Sequence, residues 1–450
     1  MLNTEQNDLV TQTGSGTPAG QLLRHYWQPV ALSEELAGER PLVAVSVLGE
    51  RLVLFRDEQG SLGLIDRQCA HRGADLCFGR LEDGGIRCPF HGWLYDTGGN
   101  CLEQPGEPEG STYFSQIQQT AYSCVERNGI VFAFMGDGPP PALDQMDCFE
   151  APEEYTFAFK GHLECNWLQA LEIGIDPAHA SFLHRYSQAG DPGHTYGQQF
   201  RDTAGEDAIP MTTLLREHPR PQIEVDKTEY GLRLTAVRDL GDGRKHVRVT
   251  NQLFPQAICI PMSSEMTITQ WHVPVDDKNC YWYALFTSFK TPTDKNKMRS
   301  QRLDLYELPH YRSRQNKRNN YGYDPEEQRT RTYTGMGNDI NVHDQWAVES
   351  MGAIQDRTRE HLGRTDAGVR EYRKLLLHAV GDLAAGRPPA HATQIIGRFG
   401  PEAVDVICTE TRGQDHWREL DRKRRVKSPW NAILAGSATC AKTGTDHGSD

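Results

Sequence analysis

The sequence predicts an α+β protein with two domains: a small all-β domain near the N-terminus and a larger domain with a central antiparallel sheet. At 450 residues, the chain is too long for a single ordinary core. Short apolar runs between residues 41 and 135 predict strands, and the run 136–141 (GDGPPP) has the composition of a stiff linker. Beyond this linker, apolar and polar residues alternate at several points between residues 223 and 289, which indicates antiparallel strands with one covered face.

The first part of the chain divides into a helical segment, residues 1–40, and the all-β domain, residues 41–145. We expect an amphipathic helix in the first segment to end before Pro29, because the residue preceding a proline avoids the helical conformation. The strands of the all-β domain are indicated by short apolar runs at residues 41–48, 51–56, 62–66 and 129–135.

Residues 146–435 form the larger domain, and the small, polar residues of 436–450 predict a disordered tail. Strands are predicted at residues 157–165, 223–225, 231–238, 246–254, 257–261, 266–273 and 280–289. Helices are predicted at residues 166–184, 343–361 and 367–385. Within the strand at 246–254, Val247 and Val249 alternate with polar residues and are expected to face the core.

Composition limits the partners and the compartment. The apolar content of 37% and charged content of 24% are ordinary for a soluble globular protein, and the net charge of −13 argues against a nucleic-acid or anionic-membrane partner. No apolar run is long enough to span a bilayer, and the N-terminus has no signal-peptide pattern. The 11 scattered cysteines favour reduced thiols, so we expect a cytoplasmic protein.

Two short Cys–His pairs lie within the all-β domain. Cys69 and His71 are separated by one residue, and Cys88 and His91 by two, so each pair fits one tight loop. A Cys2His2 zinc finger would have its cysteines paired first and its histidines second. The alternating order here suits a two-iron cluster in which one iron takes both cysteines and the other takes both histidines.

A second metal site is indicated in the larger domain. His179 and His184 lie near Pro177, which disturbs a helix and allows the two imidazoles to converge. Two imidazoles and one carboxylate, with open positions left over, form the facial triad of non-haem Fe(II) oxygenases. Asp176 is interpreted as a carboxylate that orients a histidine and lies on the electron path, not as the third ligand.

The third ligand must come from elsewhere in the chain. The best candidate is Asp344, near the start of a predicted helix, and its rivals are Asp339 and Glu349. An acid at a helix N-terminus is also favoured by the helix dipole alone, which is the structural alternative for Asp344.

These motifs resemble the terminal oxygenase α-subunits of Rieske non-haem iron aromatic-ring-hydroxylating oxygenases. The resemblance rests on CAHRG at 69–73, CPFHGW at 88–93, NWLQ at 166–169, the segment 176–184 and QDRTREHLG at 355–363, and it is greatest for the phthalate-dioxygenase-like branch. It implies a helix-grip catalytic domain in residues 146–435. The implied [2Fe–2S] ligands are Cys69, His71, Cys88 and His91, and the implied ligands of a mononuclear Fe(II) are His179, His184 and Asp344.

The resemblance also implies an assembly and an electron donor. Members of this branch form α-only homotrimers, or two stacked trimers, in which Asp176 here would bridge to a Rieske histidine of a neighbouring subunit. A separate NAD(P)H-dependent flavin and iron–sulfur reductase is implied, and no nicotinamide or flavin fingerprint is evident in this chain.

The expected reaction is O2-dependent dihydroxylation of an aromatic carboxylate, of the phthalate, chlorobenzoate or phenoxybenzoate type. The alternative reaction is monooxygenation, by O-demethylation or methyl hydroxylation, and the alternative class is an electron carrier with a non-catalytic C-terminal domain. A buried arginine would pair with the substrate carboxylate. Arg248 is the first choice, followed by Arg238 and Arg216, although each could be a solvated charge on a strand face.

Overall fold

The computed structural model describes residues 1–187, 211–263, 265–388, 400–409 and 416–431. Within them, three sheets carry an α+β fold, as predicted. None of the described helices is long and apolar enough to cross a membrane. The predicted disordered tail lies outside the described residues, and the predicted domain limits at residues 40, 145 and 435 stay predictions.

Two sheets form the N-terminal part of the chain. The helices and strands there are α1 Thr4–Thr11, α2 Pro18–Arg24, β1 Gln28–Leu32, β2 Leu42–Val47, β3 Glu50–Arg56, β4 Leu62–Asp66, β5 Arg80–Glu82, β6 Gly85–Arg87, β7 Leu94–Tyr95, β8 Cys101–Glu103, β9 Ala121–Arg127 and β10 Ile130–Phe134. The larger sheet has the order β1-β10-β9-β4-β3-β2, and the smaller has the order β5-β6-β7-β8.

The helix predicted before Pro29, which is α2 in the structure, is shorter than expected. It ends at Arg24, and the following residues form β1, which pairs with β10. All five residues of β1 are buried, because the segment QPVAL is mostly apolar and fills an edge of the larger sheet. The N-terminal segment therefore contributes a strand to the sheet that follows it in sequence.

A single large sheet organises the rest of the chain. The elements are α3 Asp147–Glu150, β11 Thr156–Leu163, α4 Trp167–Gly174, α5 Ala180–Leu183, α6 Met211–Glu217, β12 Gln222–Thr228, β13 Gly231–Asp239, β14 Arg244–Leu253, β15 Ala257–Ser263, β16 Met266–Asp276, β17 Asn279–Ser288, α7 Lys295–Leu305, β18 Tyr306–Glu307, β19 Arg312–Ser313, α8 Pro325–Thr330, α9 Ile340–Ser350, α10 Ala367–Ala384, β20 Val404–Thr409 and α11 His416–Lys427. The sheet order is β12-β13-β14-β15-β16-β17-β11-β19-β18, with β20 also pairing β14. All seven strands predicted for this domain are present, and the one predicted at 223–225 is longer than expected.

Both faces of β14 are covered, so the expectation of one covered face is wrong there. Val247 and Val249 pack against apolar residues of β20 and α11. On the opposite face His246 and Thr250 are also buried, and Arg248 lines an internal cavity. This second buried face carries polar side chains, which a period-two pattern assigns to solvent.

Two predicted helices are interrupted. The helix predicted at 166–184 ends at Gly174 and restarts as α5, because the Asp176 side chain accepts a hydrogen bond from the Ala178 N–H (2.9 Å) and Pro177 lacks a backbone donor. The helix predicted at 343–361 ends at Ser350, just before Gly352, whose φ of 94° is left-handed. The helix predicted at 367–385 is confirmed as α10.

The N-terminal sheet and the large sheet share one apolar core. The turn between β2 and β3 donates two backbone hydrogen bonds to β16, from Leu48 to Pro274 (2.8 Å) and from Gly49 to Val275 (2.9 Å). Phe132 of β10 packs on Trp271 of β16 with ring centroids 5.5 Å apart. The two parts of the chain are therefore joined by paired backbone and packed aromatic side chains.

A buried ion network fixes α4. Glu172 of α4 forms salt bridges with Arg357, which is fully buried, and with Arg373 of α10. Arg357 also donates to the Asn7 side chain of α1 (3.2 Å). Burial raises the pKa of Glu172, but the two guanidinium groups outweigh that effect and leave the pKa below its ordinary value. An ionised Glu172 thus ties three helices together.

Candidate functional site

The two Cys–His loops have the same backbone geometry. In each, the cysteine N–H donates to the carbonyl five residues later, and the N–H of a glycine four residues later donates back to the cysteine carbonyl. These bonds are Cys69 to Ala74 (2.8 Å), Gly73 to Cys69 (2.8 Å), Cys88 to Trp93 (2.8 Å) and Gly92 to Cys88 (2.9 Å). Both glycines have a φ of 77°, which requires the left-handed conformation that glycine adopts without strain.

The loops bring two thiols and two imidazoles together. Cys69 and Cys88 are each only 2% exposed, whereas His91 lies at the surface. The rings of His71 and His91 are 4.4 Å apart, and His71 stacks on Trp93 at 4.5 Å. Two buried thiols beside two imidazoles fit the donor set of a [2Fe–2S] cluster with mixed ligation.

The second predicted site also assembles. Asp344 Oδ1 lies 3.2 Å from His184 Nε2 and 3.8 Å from His179 Nε2, and one donor atom from each residue lies within 4.8 Å of the others. Asp344 Oδ1 is buried and has no hydrogen bond of acceptable geometry within the described residues. The Nδ1 of His179 bonds the Asp176 carbonyl, which directs its Nε2 toward Asp344.

The electrostatics of this cluster favour a cation. Burial raises the pKa of Asp344 to about 6, although nearby histidines lower it in part. Burial also lowers the pKa of His179. A neutral imidazole is the form that binds metal, and a bound cation would stabilise the buried carboxylate. The residues therefore fit a mononuclear metal ion.

The rivals of Asp344 are engaged elsewhere. Asp339 caps α9 by accepting from the Asn341 N–H (3.1 Å). Glu349 accepts from the Glu164 N–H (2.8 Å) and from the Tyr321 hydroxyl (2.8 Å). Among the three predicted carboxylates, only Asp344 belongs to the group of possible metal ligands in the described residues.

Sequence reasoning missed His343, which supports this site. Its ring stacks on that of His184 with centroids 5.7 Å apart, and its Nε2 lies 3.0 Å from the Gly337 carbonyl oxygen. Burial and the neighbouring His184 lower the pKa of His343 to about 4, so it is neutral at physiological pH. Its position directly before Asp344 was the one signal available.

An internal cavity of about 170 Å³ adjoins the histidines and Asp344. It lies between the large sheet and α4, α5, α6 and α9. The walls are mainly apolar and include Leu163, Ile173, Ile258, Ile260, Met262 and Trp282. The polar side chains that the large sheet contributes are Arg248, Thr250, Gln270 and His272. A mostly apolar cavity with a few polar groups is typical of a small-molecule site.

Asp176 lies at the wall between this cavity and the protein surface. Asp176, Ile173 and His179 line both the internal cavity and a surface groove of about 840 Å³. The groove also contains partly exposed apolar side chains, such as Phe182 and Met351. Asp176 is therefore in contact with the outside of the chain and with a residue of the histidine cluster.

The three predicted arginines occupy different environments. Arg248 lines the cavity and forms a salt bridge with the fully buried Asp405 of β20. Arg238 does not line the cavity, because it is buried behind it and donates to the Ser181 hydroxyl (3.1 Å) and the Pro177 carbonyl (3.3 Å). Arg216 pairs with Glu217 at 3.0 Å and likewise does not line the cavity. Only Arg248 is placed to meet a ligand.

Two family models match the chain. Residues 26–120 match the Rieske [2Fe–2S] domain, and residues 136–441 match the model described as LigXa C-terminal domain like. The phthalate 4,5-dioxygenase oxygenase subunit of Pseudomonas putida is 33% identical over 86% of this chain and 88% of its own length. The oxygenase subunit of tert-butanol monooxygenase / tert-amyl alcohol desaturase from Aquincola tertiaricarbonis is 32% identical, over 90% of this chain and 80% of its own.

A similar fold is found in a solved structure, the reduced complex between oxygenase and ferredoxin in carbazole 1,9a-dioxygenase. The TM-score is 0.55 and the sequence identity is 20%, and the match covers 86% of this chain and 98% of that chain. The predicted fold, oxygenase function and cofactors, a [2Fe–2S] cluster and a mononuclear iron, are confirmed. The chain belongs to the Rieske non-haem iron oxygenases, as an oxygenase subunit of the phthalate-dioxygenase-like branch.

Proposed function

We propose that this oxygenase subunit hydroxylates an aromatic carboxylate, with O2 and with electrons from a separate NAD(P)H-dependent reductase. The observation that carries the proposal is the cavity itself. It joins His179, His184 and Asp344 to apolar walls and to one arginine, Arg248. A planar apolar ring fits such walls, and a guanidinium is the usual partner of a carboxylate.

Arg248 is held in a fixed orientation for this role. Its Nη1 bonds Asp405, which also accepts from His246 Nε2 at 2.6 Å. Burial raises the pKa of Asp405, but His246 and Arg248 outweigh it, so the carboxylate stays ionised. Nη1 also donates to Met211 Sδ (3.6 Å); a guanidinium has five N–H donors, and those not directed at Asp405 or Met211 remain for a ligand in the cavity.

Each metal centre would be held by the residues predicted for it. His179, His184 and Asp344 would hold the iron; the cluster ligands would be Cys69, His71, Cys88 and His91. When bound, the iron activates O2 and the cluster supplies electrons. The chain's part is to orient the ring through Arg248, to exclude water with the apolar walls, and to keep His179 neutral by burial.

We further infer a homotrimer, or two stacked trimers, in which the cluster loops of one copy dock on the groove of the next. Phe90, which is 56% exposed, places an apolar ring at the tip of the loops beside the exposed imidazole of His91. The groove offers matching apolar side chains around Asp176. His91 is the better partner for Asp176, because His71 is covered by Trp93. The cytoplasmic location stays a prediction.

The test is product analysis with a surrogate reductase. The iron-loaded protein, NADH and ¹⁸O-labelled O2 are supplied with a panel of benzoates, phthalates and methoxybenzoates. We expect a hydroxylated product from at least one acid, with two labelled oxygen atoms in a dioxygenase product. If no acid in the panel is oxidised while both metals are present, the aromatic-carboxylate proposal is wrong.

A monooxygenase is the second candidate. The relative from Aquincola tertiaricarbonis is named as a tert-butanol monooxygenase. The name of this similar protein therefore indicates monooxygenation as a second possible reaction. One labelled oxygen atom in the product, or loss of a methyl group from a methoxybenzoate, would favour this reaction. The third class, an electron carrier without catalysis, is disfavoured by the cavity beside His179, His184 and Asp344.

Replacing Arg248 with methionine should weaken binding of the carboxylate substrate. A charge-assisted hydrogen bond contributes about 1.5–3 kcal/mol, so KM should rise by roughly 10- to 150-fold while kcat changes less. Steady-state kinetics on the best acid of the panel would measure this. Arg216→Met is the matched control, since Arg216 lies outside the cavity; an equal rise in KM in both variants would contradict the assignment.

A further inference from the structure

His272 is a buried imidazole that neither metal centre uses. It lies on β16, is 5% exposed, and lines the internal cavity together with its register partner Trp282 and with Gln270. The alternate residues of β16, such as Trp271, face the core shared with the N-terminal sheet. The pleat of the strand thus directs His272 toward the cavity side.

Both ring nitrogens of His272 lack a hydrogen-bond partner among the described residues. Its backbone is satisfied, because the N–H donates to the Gln256 carbonyl (2.9 Å), so the deficit belongs to the side chain alone. Buried polar groups in proteins are nearly always paired, since an unpaired one costs about 1–3 kcal/mol. A cavity-facing imidazole with two unpaired nitrogens therefore indicates a group that binds from the cavity.

The hydrogen-bonding character of His272 follows from its environment. Burial lowers the pKa of His272 to about 3, so the ring is neutral at physiological pH. A neutral imidazole presents one N–H donor and one acceptor nitrogen. A hydroxyl group also donates and accepts, so it can satisfy either nitrogen. An ionised carboxylate only accepts, and it would find no positive charge on this ring.

His272 of β16 and Arg248 of β14 lie at different levels of the large sheet. Gln252 of β14 and Gln270 of β16 both pair with Ile258 of β15, so they lie at the same level of the sheet. Arg248 lies four residues before Gln252. His272 is two residues beyond Gln270. Six residues at roughly 3.3 Å each separate the two positions by about 20 Å along the strands. A ligand that reaches both side chains must be longer than a single ring.

We propose that His272 binds a hydroxyl group at the end of the substrate distal to its carboxylate, and so selects elongated hydroxylated aromatic acids. This inference rests on the proposed function, because it takes Arg248 as the partner of the carboxylate. The alternative for His272 is an imidazole hydrogen-bonded only to water within the cavity. That alternative predicts no dependence of ligand affinity on a distal hydroxyl.

The test compares two acids that differ by one hydroxyl group. Anaerobic calorimetry on protein loaded with both metal centres would give the Kd of 4-phenylbenzoate and of 4-(4-hydroxyphenyl)benzoate. We expect the wild type to bind the hydroxylated acid about 10-fold more tightly, which corresponds to about 1.4 kcal/mol. In His272→Phe the two acids should bind equally, and 4-phenylbenzoate should bind at least as tightly as to the wild type.

The outcomes separate this inference from the proposed function. Equal binding of the two acids by the wild type, or an unchanged preference in His272→Phe, would overturn the role of His272 and leave the function standing. If neither acid binds the wild type while an acid of the benzoate and phthalate panel does, the inference is overturned and the function stands; if no acid of either set binds, both fail. His272→Leu replaces His272→Phe if the latter loses its cluster absorption. His272→Asn, which keeps a donor and an acceptor, should retain part of the preference.

Discussion

Asp344→Ala is expected to lose the mononuclear iron and at least about 100-fold of the oxygenase activity, while the [2Fe–2S] absorption is unchanged. The variant removes one of three converging donor atoms, and Asp344 Oδ1 lies within 3.8 Å of both histidine nitrogens. The two loops that would carry the cluster belong to the N-terminal sheets, so they should be unaffected. Metal analysis and visible spectroscopy on the purified protein would measure both effects.

Asp339→Ala is the matched control for this prediction. Asp339 was a rival ligand, but its side chain caps α9, so its loss should cost about 1 kcal/mol of stability and leave iron bound. If Asp344→Ala kept its full iron content and Asp339→Ala lost its iron, Asp339 and not Asp344 would be the third ligand. Chemical denaturation of both variants would show whether iron loss merely follows unfolding.

Asp176→Asn is expected to keep both metal centres and yet to reduce the product formed per turnover by roughly 100-fold. This factor corresponds to about 2.7 kcal/mol. Asparagine retains the oxygen that accepts from the Ala178 N–H, so the turn after α4 should be preserved. What is lost is the charge at the wall between the groove and the cavity. Single-turnover experiments on pre-reduced protein, following cluster oxidation and product together, would measure the effect.

Asp242→Asn provides a control with the same kind of turn. Its side chain accepts from the Arg244 N–H (3.1 Å) on an exposed loop remote from both cavities. Its cluster oxidation and product yield should equal those of the wild type. Normal single-turnover product from Asp176→Asn would remove Asp176 from the electron path, whatever the state of the control.

The parts of the site that were predictable lie close together in sequence. The cluster ligands occupy two loops whose spacing alone indicates a metal, and His179 and His184 lie five residues apart beside Pro177. The long strands were predictable from their alternation. The helix breaks were harder, because Asp176 and Gly352 stop helices through a side-chain bond and a left-handed φ that the apolar pattern does not report.

The parts of the site that could not be predicted from the sequence depend on pairing between strands that are distant in the chain. Asp405 reaches Arg248 across 157 residues through the pairing of β20 with β14, and no local pattern marks it. His246 and His272 look like polar residues on a solvent-facing side, because a period-two pattern cannot show that the face carrying them is covered by other parts of the chain. The positions of Arg238 and Arg216 relative to the cavity could not be predicted for the same reason: the direction and depth of a side chain are decided by tertiary contacts.

The shared core of the two sheets has a consequence for how activity depends on concentration. Backbone bonds from Leu48 and Gly49 to β16, with Phe132 packed on Trp271, hold the N-terminal sheet against the large sheet. In the proposed trimer, the cluster loops of one copy contact the groove around Asp176 on another copy. By mass action, dilution below the point where copies associate would lower the rate per chain even though every metal ligand remained in place.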